Sequence, residues 1–186
     1  MRLTSLELRR QLLHMGFGIV LITLLYFGIL NIYLMIGGLT LALILSRLCT
    51  MTQIPIASWV MDRFERKEFR HKFPGKGPIF FMMGSIVVLY FFPLHIALAA
   101  MVILSVGDAV SHIAGKLLSR RSYKYLKSVE GTAVAIVASF FGVLIFVNFA
   151  AALVGVSVSL LFEDLKLGIE DNLFLPIVAA IIMSLF

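Results

Sequence analysis

Two carboxylates and a lysine stand among small residues in a chain otherwise built of apolar runs: Gly107-Asp108-Ala109, then Lys127-Ser128-Val129-Glu130-Gly131-Thr132. Carboxylates hold Mg²⁺, a lysine neutralises phosphate oxygens, and glycines let backbone N–H groups come close. This is the inventory that phosphoryl chemistry requires. A carboxylate beside lipid is costly without partners, which favours a site over decoration.

Each candidate has a plainer reading beside the chemical one. If Ser128 caps the helix that follows, its N-terminus offers N–H groups and a positive dipole end to an anion. Lys127 then adds a point charge on phosphate, and Glu130 binds metal or acts as a base. The plainer reading makes Lys127 a topology-setting cation and Glu130 a partner of the helix dipole. Asp108 precedes Ala109, Ser111, Ala114 and Gly115, a small-residue face suited to close packing or to phosphate approach. Glu7, Arg10 and His14 fall at i, i+3 and i+7, one stripe of a helix running into the first apolar run, with His14 nearly at membrane depth. Glu163, Asp164, Glu170, Asp171 and Asn172 form an acidic group that joins a metal or nucleotide pocket or else lies in a solvated loop. Asp171-Asn172, at the mouth of the last apolar run, fits the pocket better. His112 lies within the motif region and is a weaker candidate than its neighbours. Gly75-Lys76-Gly77 is too short to stand alone as a phosphate loop, and there is no Walker A sequence.

The elements that must position these residues are membrane spans. The chain has 186 residues, 61% of them hydrophobic, well above the ~45–50% of soluble domains. Apolar runs lie near 13–30, 33–48, 78–92, 94–107, 131–147, 149–162 and 173–186. Every Asp, Glu, Lys and Arg falls within 2–10, 47–76, 108–130 or 163–171, and the turns around Asn31, Pro93 and Asn148 carry none. Seven spans put all four charged stretches on one side. Their Lys/Arg excess makes that side cytoplasmic, so the expected fold is an all-α polytopic membrane protein with its N-terminus inside. The net charge of +6 is then a topology signal, with no nucleic-acid partner implied. The basic start before an apolar run resembles a signal peptide, but no small-x-small site follows, so it reads as a retained first span. The single Cys49 makes no internal disulfide, and no Cys/His group has zinc-like spacing. One integral-membrane catalytic domain, 1–186, is expected, with an amphipathic cytoplasmic loop over about 49–76 and a catalytic loop over about 107–131. Within the former, Val60 and Phe64 recur at helical spacing against a charged face, as in an interfacial helix.

Taken in order, these pieces resemble the membrane CTP-dependent lipid kinases, the group of dolichol kinase, phytol kinase and yeast-type diacylglycerol kinase. The matching motifs are Glu7-x-x-Arg10-x-x-x-His14, Lys76-Gly77 before an apolar run, Gly107-Asp108-Ala109 with Gly115, Lys127-Ser128-Val129-Glu130-Gly131, and Asp171-Asn172-x-x-x-Pro176. The resemblance implies transfer of the CTP γ-phosphate to a lipid alcohol of polyprenol type, with Mg²⁺, at the cytoplasmic face. It implies that Asp108, Glu130 and Asp171 hold the metal, or that Asp108 or Glu130 takes the hydroxyl proton. Lys76, Gly107, Gly115, Ser128, Gly131 and Asn172 would contact the nucleotide. Lys127, with Lys76, would stabilise phosphate charge, while Arg10 and His14 orient phosphate or hydroxyl. The CDP-diacylglycerol synthases share an Asp near a span end, a Lys-x-x-Glu-Gly turn and the use of CTP. Their Ser-Pro-Lys-Lys-Thr lead-in is replaced here by Tyr125-Leu126 before Lys127, and their late His-Gly-Gly is missing, which puts cytidylyl transfer second. A transporter would place polar groups at the midplane of repeated halves; here the charges gather at one side and no repeat is found.

Overall fold

A computed structural model describes residues 3–52, 55–65, 72–119, 128–165 and 170–186, and among these the fold is all-helical. The elements are α1 (Ser5–Tyr26), α2 (Ile32–Met51), α3 (Pro55–Phe64), α4 (Lys76–Phe91), α5 (Leu94–Val102), a π-helical turn (Ile103–Gly107), α6 (Asp108–Leu118), α7 (Val129–Val143), α8 (Phe149–Asp164) and α9 (Asp171–Met183). Helix starts follow from side chains that replace missing backbone acceptors. Thr4, Asn31, Ser128 and Asn148 each accept a backbone N–H from the first turn of α1, α2, α7 and α8. Gly75 enters α4 at φ 74°, a left-handed conformation that glycine adopts without a Cβ penalty.

Among the described residues, three helices are long and apolar enough to cross a membrane: Ser5–Tyr26, Ile32–Met51, and the continuous Leu94–Leu118 formed by α5, the π turn and α6. α4, α7, α8 and α9 are apolar but shorter. At about 1.5 Å per residue, α4, α7, α8 and α9 extend roughly 20–24 Å against a ~30 Å hydrocarbon core. These helices are compatible with a membrane protein. α5 is the buried axis, with Ala97, Ala99, Ala100 and Met101 fully enclosed, and α1, α4, α7 and α9 pack around it. α2 stands at the margin, packed on α4, with Met35 and Ser46 buried and most of its leucines exposed.

Small residues set the closest crossings, as expected where packing replaces a hydrophobic drive. A Cβ on Gly131 of α7 would lie 2.5 Å from the Ser111 carbonyl and 2.7 Å from Gly115 of α6. Gly107 meets Leu160 of α8, and Gly84 of α4 lies against the Asn172 carbonyl and Pro176 of α9.

One expectation needs correction. The stretch 107–131 does not begin as a loop: Asp108 continues the helix that holds the preceding apolar run, and Ser119 caps it. The apolar run ending at Gly107 therefore stops in mid-helix, because small Gly107 and polar Asp108 break the hydropathy without breaking the backbone.

Candidate active site

The π turn aims the first site residue. Over Ile103–Gly107 the helix takes up an extra residue per turn, and the Asp108 N–H donates to the Ile103 carbonyl. The Leu104 carbonyl is met by His14 Nε2 at 3.0 Å. A carbonyl oxygen only accepts, so Nε2 is the protonated nitrogen. Asp108 Oδ2 lies 3.3 Å from the same Nε2. Phe81, fully buried on α4, holds the imidazole edge-on at 5.1 Å and also meets Phe17 at 5.5 Å. The polar stripe read in α1 faces α6: Arg10 donates to Glu7 Oε1 at 2.6 Å, and Lys116 reaches the same oxygen at 3.3 Å.

Asp108 Oδ1 lies 3.2 Å from His112 Nε2, one turn later on α6. Around that pair close the ends of two shorter helices, Glu163 at the end of α8 and Asp171 at the start of α9. Asp108, His112, Glu163 and Asp171 each offer one ligand atom, and those atoms all lie within 4.8 Å of one another. Asp108 and Glu163 are 5% and 3% exposed. Two negative charges at that spacing repel by about 3–4 kcal/mol at an effective dielectric constant near 20. Three carboxylates and an imidazole nitrogen are a donor set that a divalent cation fits, and such a cation would remove this repulsion.

The starts of α4 and α9 flank the cluster. Lys76 pairs with Glu170, and Asn172 Nδ2 donates to the Gly77 carbonyl at 3.1 Å. Neither helix has a side-chain cap, but the Glu65 carboxylate meets the start of α4 through the Gly75 N–H, and Asp171 stands in the first turn of α9. A cavity of about 620 Å³ joins these parts. Arg10, His14, Lys76, Asp108, His112 and Asp171 line its polar end, while Phe17, Ala42, Leu45, Val60 and Phe64 form its apolar walls.

Other expected residues are placed differently. Glu130 neither lines the cavity nor joins the four-residue cluster; its Oε2 is buried without a hydrogen-bond partner among the described residues. Gly107, Gly115 and Gly131 have their open faces filled by protein, so helix packing rather than phosphate approach occupies them. Ser128 is engaged twice: its hydroxyl caps α7 through the Gly131 N–H at 3.1 Å, and its own N–H donates to Asp164 Oδ1 at 2.7 Å. Lys127, expected to act on phosphate, lies outside the described residues. Of the two readings open for Glu163, a pocket carboxylate or a solvated loop, the structure gives the pocket, and His112, the weaker candidate, joins it there. The four-residue spacing from Asp108 was the available signal for His112.

No family model matches the chain, and no solved structure matches it. Among curated proteins, the uncharacterized protein MJ1137 of Methanocaldococcus jannaschii is 29% identical over 188 residues, spanning 96% of this chain and 93% of its own length.

Proposed function

We propose that the protein is a seven-span membrane enzyme, N-terminus cytoplasmic, that transfers the γ-phosphate of CTP to a lipid alcohol of polyprenol type. One observation carries the reading: a single cavity joins a polar end of cations and metal-type ligands to apolar walls. A soluble phosphotransferase has no need of the second half, and a transporter would place its polar groups at the midplane of repeated halves, whereas here the charges gather at one side. The choice of CTP rests on the motif resemblance, and the orientation on the Lys/Arg excess of the charged side.

Asp108, His112, Glu163 and Asp171 would hold a divalent cation, Mg²⁺ in the first instance, which when bound neutralises charge on the nucleotide phosphates. Arg10 and Lys76 receive the phosphate oxygens. The alcohol oxygen attacks the γ-phosphorus, the bond to the bridging β–γ oxygen breaks, and CDP leaves. The hydroxyl proton passes to Asp108, whose Oδ2 faces the His14 imidazole at 3.3 Å. Such a transfer depends on positioning and charge neutralisation more than on covalent chemistry by the protein.

The test uses purified protein, Mg²⁺ and a panel of lipid alcohols with phosphatidate, with CTP labelled at the α- or the γ-phosphate. Lipid labelled from the γ position alone is the expected result. Label from the α position alone would make the enzyme a cytidylyltransferase and overturn the proposal. So would the absence of lipid label from either.

A further inference from the structure

α1 and α2 are consecutive, yet they scarcely touch: α1 lies on α3, α5, the π turn and α6, and α2 on α4. The space left between them is the apolar half of the cavity. Leu13 on α1 and Leu45 on α2 line it and are 44% and 45% exposed, so they stand at its outer rim. Deeper in, Phe17 packs on the buried Phe81, whose ring also holds His14 beside Asp108. At the charged end, α3 rests on α1 and turns Val60 and Phe64 into the cavity. The Glu65 carboxylate, which accepts the Gly75 N–H at 2.9 and 3.0 Å, clips the end of α3 to the start of α4. Leu13 and Leu45 thus place the rim beside the largely exposed, apolar α2.

We infer that the α1–α2 gap is a lateral port that binds the hydrocarbon chain of a lipid alcohol and delivers its hydroxyl to Asp108. This rests on the proposed kinase reading for the identity of the headgroup. The apolar wall on α2 runs from Ala42 to Cys49, about 10 Å at 1.5 Å per residue. That is less than the ~15 Å half-thickness of a hydrocarbon core. Only the hydroxyl-proximal part of the chain is enclosed, and the remainder stays in the bilayer. Recognition is then of an apolar stem of minimum length, with no upper limit.

Cys49, the single cysteine of the chain, lines the port and supplies a probe that does not depend on turnover. The full protein in nanodiscs is treated with a small maleimide, with and without geraniol, farnesol or geranylgeraniol, and modification is followed by mass spectrometry. Modification without alcohol and at least tenfold slowing by farnesol are expected, with no further gain from geranylgeraniol. Ala42→Trp, which fills the wall, should abolish the protection; Leu45→Trp on the rim serves if that variant does not fold. A Cys49 that is inert without alcohol, or that reacts equally fast with it, would overturn the port. Protection without phosphate transfer from CTP would keep the port and overturn the kinase reading. Transfer without protection would do the reverse.

Discussion

Replacing Gly131 by alanine should separate two helices that carry the site. The added Cβ would lie 2.5 Å from the Ser111 carbonyl and 2.7 Å from both Gly115 Cα and its amide nitrogen. These are backbone atoms of α6, so no side chain can swing aside. Reaching ordinary contact, 3.4 Å or more, requires α6 and α7 to part by close to 1 Å. Overpacking of this kind costs about 1–3 kcal/mol, and relief of glycine's poor helix propensity returns at most about 1 kcal/mol. The net loss should be about 1–2 kcal/mol, read as a fall of several degrees in the melting temperature of the detergent-solubilised protein. α6 bears Asp108 and His112, so the same displacement should lower phosphate transfer by roughly 100-fold. Gly16→Ala is the control: its added Cβ meets nothing within 4 Å, and it should be neutral or stabilising. A Gly131→Ala protein that melts with the wild type, while Gly16→Ala does not differ from it, would refute the packing argument.

Asp108→Asn should abolish γ-phosphate transfer, by about 10³-fold or more, with an unchanged melting temperature; a fully active variant would remove Asp108 from the mechanism. Divalent cation at about 100 times its Kd should add ~2.7 kcal/mol of stability, and Mn²⁺ titration of the melting temperature should lose most of that gain in Glu163→Gln or His112→Ala. An equal gain in Glu130→Gln as in wild type is expected, since Glu130 lies outside the cluster. Ser128→Ala should cost about 0.5–2 kcal/mol through loss of the α7 cap, and Ser128→Thr should restore most of it in the same thermal assay.

The parts legible in the sequence were those with a local physical cause. Ser128 announces the start of α7 because its short polar side chain replaces an absent acceptor, whereas Asn31 and Asn148, read only as uncharged turns, cap α2 and α8 in the same way. His14 and Asp108 could be singled out because an ionisable group within an apolar run needs a partner, and each is close to the other, at 3.3 Å. What escaped depended on distance in the chain. Glu163 could not be told from a loop carboxylate, because it follows an apolar run and precedes a polar stretch; only the fold sets it beside Asp108 and Asp171. Glu130 sits beside the residue that meets α6. Successive helix positions point about 100° apart, so the contact that brings Gly131 in turns Glu130 away. The interruption of hydropathy at Gly107 marked a change of environment rather than the end of a helix.

The π turn at Ile103–Gly107 joins two surfaces that different neighbours read. Above it, Ile96–Val102 of α5 is enclosed by the core on every side; below it, α6 turns Asp108 and His112 to the cavity and its small residues to α7. The extra residue is a fixed angular offset between them. Its loss would restore the regular helix and rotate Asp108 and His112 by about 100° relative to α5, with no side chain altered. Residue count in this segment is therefore under stricter constraint than residue identity. Conservative substitutions there leave the two registers intact, whereas a one-residue deletion leaves a packed helix aimed at the wrong place.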